Sequence, residues 1–415
     1  MKGNRVRIGT NGTSLRLDST IVSLGAVLMA ILVAPLISEK LRVPTIVVEV
    51  LAGVVLGKSL LGIVSGTPVE FVSYFGLTYL LFLSGLEANI YDIKGNYGRA
   101  VGIALPSILV PLAAGFYLSG LFGADPVFLG AVLSVTSLGE VNICARAVRC
   151  DIGFRNALVG SAVIVEVASL MLLSAGLEMA TGARREAIAT MALFALLFAL
   201  PILVRRLRPA LPLVEWARDR SHLQLEVRIC FALVAFMAIL SESMRVHFTL
   251  GAYMAGLLIS EFTESGGELE RKLMGFGYGF FIPFFFVSMG SSMELSRLYG
   301  APWGIEALLL VAAIGILSKV AGVGIASKLL GLRPKEGLAM GFLHSSRMSL
   351  ALAGTELGRA MGIISDPLYS ALVIFSLASV IIGPSVGSAL LRSASGPALG
   401  RGPEPQTISV NRHLG

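Results

Sequence analysis

One carboxylate stands out for the chemistry it would have to do. Residues 156–177, NALVGSAVIVEVASLMLLSAGL, form a membrane-length apolar run with a single ionisable group at its middle, Glu166, flanked by Val165 and Val167. A carboxylate at that depth is costly, so it needs a partner, a proton or a cation. On a helix, Ala162 and Ser169 share its face at the i−4 and i+3 positions, and their small size leaves room for an ion or another backbone. Two more apolar runs carry polar residues at their centres: Ser134, Thr136, Ser137, Gly139, Glu140 and Asn142 in one, His344, Ser345, Ser346 and Arg347 in the other. Backbone broken at membrane depth survives where it lines a cavity or is buried in protein. Desolvation favours a protonated carboxyl and a nearby cation favours an ionised one, so proton and cation can compete for one such group. The Thr136 and Ser137 hydroxyls, with carbonyls freed by the break, are the oxygen ligands a hard cation prefers.

The elements that must position these groups are membrane helices. Judged against the roughly 20 residues needed to cross the hydrocarbon, the spans are 19–38, 45–64, 69–86, 99–121, 126–148, 156–177, 187–204, 225–242, 248–261, 273–292, 304–328, 337–357 and 367–391. The fifth and twelfth are the interrupted ones, and their odd separation gives them opposite directions. Paired discontinuous helices in equivalent places of two halves point to a transporter site between inverted repeats. The expected organisation is a segment 1–18 outside the membrane, a transmembrane domain 19–391 and a short disordered tail 392–415, too short for a nucleotide-binding regulatory domain. Within the domain, repeats at about 19–177 and 225–391 flank a linker helix at 187–204. Basic residues concentrate in the loops on the C-terminal side, among them Lys40, Arg42, Arg146, Arg155, Arg205 and Arg333. The positive-inside rule then puts the N-terminus outside and the C-terminus in the cytoplasm of a multi-pass cell-membrane protein.

Composition sets the class. The chain has 415 residues, of which 55% are hydrophobic and 14% charged, and a mean hydropathy of +0.81, too apolar for a soluble protein of this length. Its 47 glycines suit close packing of membrane helices. The net charge of +7 is spread over short loops and gives an orientation signal, not a nucleic-acid surface. Cys144, Cys150 and Cys230 have no metal-ligand spacing and are expected as reduced thiols.

Five segments, 43–62 (VPTIVVEVLAGVVLGKSLLG), 75–87 (FGLTYLLFLSGLE), 250–261 (LGAYMAGLLISE), 281–290 (FIPFFFVSMG) and 317–331 (LSKVAGVGIASKLLG), stand in the order of a known family. Together they resemble the monovalent cation:proton antiporters of the sodium/proton exchanger superfamily, of the cation:proton antiporter-2 type, from residue 43 to about 358. The resemblance implies an all-α fold of thirteen helices with two inverted repeats, a homodimer, and a core domain that moves against a dimerisation scaffold. In the family the sixth helix carries two adjacent polar residues, the second an acid that binds cation and proton; here these places hold Val165 and Glu166. The resemblance gives Lys319 the role of partner to the first acid. With valine in that acid's place, Glu166 or Glu140 is the expected partner of Lys319, and Glu140 is a candidate for a relocated acid.

The expected site is thus Glu166, Glu140 and Lys319 for ion and proton transport, supported by Thr136, Ser137, Gly139, Asn142, Ser345, Ser346 and Arg347. Glu166 and Thr136 are the expected monovalent-cation ligands, and no organic cofactor is implied. Arg347 reads as a structural guanidinium at the crossing of the broken helices, since it cannot deprotonate and would repel a cation. The function expected is exchange of sodium, or potassium, for protons across a lipid bilayer. Two other readings use the same residues: a sodium-coupled symporter of an organic anion drawn to Lys319 and Arg347, and a transport-dead sensor or scaffold. The stretch GVVLGKS at 53–59 is no phosphate loop, because three residues separate its glycines where four are needed. No Ser-His-Asp set or soluble carboxylate pair is visible, so no enzyme is proposed.

Overall fold

Apolar side chains on almost every helix face leave the backbone one way to satisfy its own polar groups in lipid, the helix. The computed structural model describes residues 6–8, 15–17, 19–64, 67–88, 97–148, 150–182, 223–243, 247–263, 267–300 and 304–394. The expected seventh span at 187–204, its flanking loops and most of both terminal segments lie outside the described residues. The helices are α1 (Ser19–Leu41), α2 (Thr45–Leu56), α3 (Thr67–Glu87), α4 (Tyr97–Phe122), α5 (Pro126–Ser134), α6 (Leu138–Ala147) and α7 (Ile152–Ala180). They continue with α8 (Leu225–Ser243), α9 (Phe248–Ser260), α10 (Glu268–Phe276), α11 (Ile282–Ser292), α12 (Leu295–Gly300), α13 (Gly304–Leu329), α14 (Pro334–His344), α15 (Ser349–Ala360) and α16 (Asp366–Ala394). Twelve of the thirteen expected spans fall on these helices. Among the described residues eight helical stretches are long and apolar enough to cross a membrane. The all-α architecture holds with one addition, an antiparallel hairpin of β1 (Val6–Ile8) and β2 (Leu15–Leu17) that pairs Val6 with Leu17.

Local signals set several boundaries. Asp125 caps α5, accepting from the Phe128 N–H at 2.8 Å with Pro126 in the first turn. Asp151 caps α7 through the Gly153 N–H at 2.8 Å. The tenth span is α10 and α11 joined by a π-helical turn, Gly277–Phe281. Pro283 in the first turn of α11 has no N–H to give, which accounts for the irregular ladder just before it.

The helices sort into two packing groups. In the first, α3 packs along α9 and α11, α2 along α1 and α11, and α8 along α9. In the second, α4 contacts α5, α7 and α13, and α14 contacts α13 and α16. The groups meet where α3 touches α6 and α15, and where α12 reaches α16 and α13. The first group is held backbone to backbone. A Cβ on Gly85 would lie 2.0 Å from the Tyr253 carbonyl oxygen, and one on Gly256 2.0 Å from that of Phe82. Small residues in these places let helices approach far closer than Leu or Val would allow. The helix α1 keeps Ile21, Leu28, Met29, Leu32 and Leu36 exposed, the surface expected to face lipid. Of the aromatic run, Phe280 is exposed and Phe284, Phe285 and Phe286 are buried packing residues.

Candidate functional site

Both interrupted spans are broken as expected. Between α5 and α6, residues 135–137 leave the helix; between α14 and α15, residues 345–348 do. The breaks cross and bond to each other: the Ser137 N–H donates to the Ser346 carbonyl at 2.8 Å, and the Thr136 hydroxyl to the His344 carbonyl at 2.8 Å. His344 ties the crossing to neighbouring helices, its Nδ1 lying 3.2 Å from the Ser107 hydroxyl and its Nε2 3.0 Å from that of Ser161.

The crossing has two electrically different sides. The C-terminal ends of α5 and α14 expose carbonyls and carry the negative end of the helix dipole. Two fully buried cations answer them. The Lys319 Nζ donates to the Ser107 carbonyl at 2.7 Å and to that of Ser134. Arg347 donates to Leu133 through two nitrogens, 3.2 Å from Nε and 2.5 Å from the guanidinium end, to Ser345 at 2.8 Å and to Gly315 at 2.9 Å. Its guanidinium also stacks over Phe375 at 4.8 Å. Among the described residues neither cation forms an ion pair. The expected pairing of Lys319 with Glu166 or Glu140 is therefore corrected: main-chain carbonyls take the place of the missing acid. Val165 packs with Ala104 and Ile108 in a small apolar cluster.

The opposite side of the crossing holds the carboxylates. The backbone of Leu138, at the start of α6, lies close to the Glu166 carboxylate. Glu166 Oε2 is buried with no hydrogen-bond partner, as are Ser169 Oγ, Tyr253 Oη and Ser346 Oγ. Leaving such a group unpaired costs about 1–3 kcal/mol, and more when it is charged. A cavity of about 650 Å³ runs from Glu166 past Ser137, Gly139, Glu140 and Asn142 to the end of the bundle where α2 begins and α6 ends. Glu87, Glu270 and Tyr278 line it as well.

The structure thus divides the expected site. Ser137, Gly139, Glu140, Asn142 and Glu166 share the cavity. Thr136 is buried and bonded at the crossing, while Lys319, Ser345, Ser346 and Arg347 are buried in the crossing and away from the cavity lining. Sequence reasoning gave no role to Glu87 or Tyr278. Glu87 closes the quoted segment FLSGLE, one residue beyond the expected span 69–86. Tyr278 sits in the π turn, which has no plain sequence signature.

Comparison with known proteins decides the family. The model of the family described as sodium/hydrogen exchanger, transmembrane, matches residues 27–393. This chain belongs to the sodium/hydrogen exchanger family. As a member of it, the chain is 26% identical to Cation/H(+) antiporter 18 of Arabidopsis thaliana, over 94% of this chain and 51% of that protein. It spans only about half the length of that relative. It is also 26% identical to the Na(+)/H(+)-K(+) antiporter GerN of Bacillus cereus, over 84% of this chain and 90% of that one. The solved sodium proton antiporter MjNhaP1 from Methanocaldococcus jannaschii shares the exchanger fold, with a TM-score of 0.64 and 17% identity over 91% of this chain and all of that one. Members of this family are secondary transporters and not enzymes.

Proposed function

We propose that this chain exchanges a monovalent cation for protons by alternating access, with Glu166 as the group that carries either one. The observation that carries the reading is the bare Oε2 of Glu166, buried at the inner end of a polar cavity beside the crossing of two broken helices. An ionised carboxylate left there alone is costly, so it takes up a proton or a cation before the site can cross the membrane. The empty site stalls, and exchange follows. Sodium is the expected cation and potassium the alternative; the name of GerN includes both.

Stoichiometry follows from the residue roles. Lys319 is engaged by the Ser134 carbonyl at the C-terminal end of α5 and by the Ser107 carbonyl inside α4, an arrangement that suits a permanently charged clamp. One titrating group at the site supports one-for-one, electroneutral exchange. The packing groups supply the machinery: α1 to α3 and α8 to α11 as scaffold, with a second copy of the chain as its partner, and the helices bearing the crossing as the moving core. The cavity reaches the end of the bundle near Lys40, Arg42 and Arg146, loops that the positive-inside rule assigns to the cytoplasm. The conformation is accordingly read as inward-facing, in a cell membrane, with the N-terminus outside.

The test is dequenching of a pH dye in proteoliposomes on addition of each alkali cation, wild type beside Glu166→Gln. Cation-evoked proton movement lost in Glu166→Gln is the expected result. Cation-driven uptake of an organic anion would replace the reading with a symporter, and a response to imposed membrane potential would remove the electroneutral stoichiometry.

A further inference from the structure

The N-terminal end of α6 faces carboxylates from both packing groups. Glu166, on α7 of the core, lies near the Leu138 backbone at the start of α6. Glu87, the last residue of the scaffold helix α3, brings its Oε2 to 3.1 Å from where a Cβ on Gly139 would stand. Ser137, the residue before α6, gives the first turn no side-chain cap, so the positive end of this half-helix is served by acids from elsewhere in the fold. Glycine at 139 is what lets the Glu87 carboxylate come so near. The same two carboxylates lie within electrostatic reach of each other and line one cavity. Two further acids face that space. Glu140 rides on α6 itself, and Glu270 stands on α10, whereas Glu87 is the acid whose carboxylate lies against Gly139.

We infer that Glu87 is a specificity-determining residue for ions entering from the cavity: a scaffold carboxylate that receives the cation beside α6 and adds to the pull of Glu166 on that face of the membrane alone. This rests on the exchange reading, because the one-sidedness comes from motion. When the core shifts, Glu166 and α6 travel together and Glu87 stays behind with α3. Its charge then adds to the site's attraction only while the cavity is open. At the far face Glu166 works without it, so the two faces of one transporter differ in cation affinity.

Inside-out and right-side-out membrane vesicles separate the faces. With sodium as the probe, Glu87→Gln is expected to raise half-saturation on the cavity face about tenfold, the effect of removing one nearby charge in a protein interior, and to leave the opposite face within about twofold. Gly139→Ala gives a second route that leaves Glu87 intact: its methyl group moves the flexible carboxylate outward by a few tenths of an ångström and should produce a smaller shift on the same face only. An equal rise on both faces, or no change on the cavity face, overturns the inference. Sodium-driven exchange that survives Glu166→Gln in the same vesicles would instead overturn the site reading, so the two failures are distinct.

Discussion

Lys319 and Arg347 show what a membrane interior demands of a charge. Each is wholly buried, and each donates to main-chain carbonyls, some at the end of a half-helix and one inside a neighbouring continuous helix. Removing a partner from a buried charged hydrogen bond costs about 1.5–3 kcal/mol per bond. Lys319→Met is therefore expected to destabilise the protein by roughly 3 kcal/mol through two lost bonds, read as a lower midpoint of thermal unfolding in detergent. On the proposed reading, in which Glu166 and not Lys319 titrates, exchange in the fraction that folds should stay insensitive to membrane potential. At this scale the sequence was legible where a residue broke an apolar pattern, as Glu166 did. It was not legible for Lys319, because a carbonyl has no letter: the search for an acid partner could only return other acids. Glu87 was hidden for a related reason, since a helix-end glutamate reads as a surface charge until folding turns it toward α6.

The broken spans work as one unit. The Thr136 hydroxyl bridges from one break to the other, so Thr136→Val should cost about 1 kcal/mol and slow exchange, while Thr136→Ser, which keeps the donor, should restore both. Parallel thermal unfolding and vesicle transport assays of the pair read this. In the scaffold, a methyl at Gly256 would meet the Phe82 carbonyl at 2.0 Å. Overpacking of this kind costs about 1–3 kcal/mol, and Gly256→Ala is expected to lower the unfolding midpoint accordingly. The breaks themselves were readable from polar clusters inside apolar runs. The π turn before Pro283 and the early end of α2 at Leu56 were not, because hydropathy measures length and not the local hydrogen-bond ladder.

Across the whole molecule, the end opposite the cavity is shut by polar contacts between the packing groups. Arg297 on α12 bonds Asp366 at the start of α16 and also Glu294, and Lys58 lies 3.6 Å from Glu294. The Tyr369 hydroxyl lies 3.0 Å from the Met289 carbonyl of α11 and donates to Glu356 Oε2 at 2.6 Å, and Glu356 in turn holds Arg359 at 2.8 Å. In the proposed exchange cycle the two links to α16, from Arg297 to Asp366 and from Tyr369 to the Met289 carbonyl, must part before the site can open on that face. Asp366→Asn combined with Tyr369→Phe should shift the resting population toward the outward state, seen as faster hydrogen exchange at the first turns of α16. Unchanged protection there would separate this closure from the transport cycle. The twelve spans that fall on described helices were legible from hydropathy alone, whereas this latch was not, since its members lie far apart in sequence and their pairing exists only once the helices have met.

The contact between α3 and α9, carbonyl against glycine with no methyl between, has one more consequence. A bearing with so little clearance cannot tilt its parts to match a thicker bilayer, so the surrounding acyl chains must do the adapting, at a cost that grows with each ångström of mismatch. Turnover measured across a series of lipids of increasing chain length should peak sharply near one thickness, and relieving the fit at Gly85 or Gly256 should blunt that peak before it lowers the maximum.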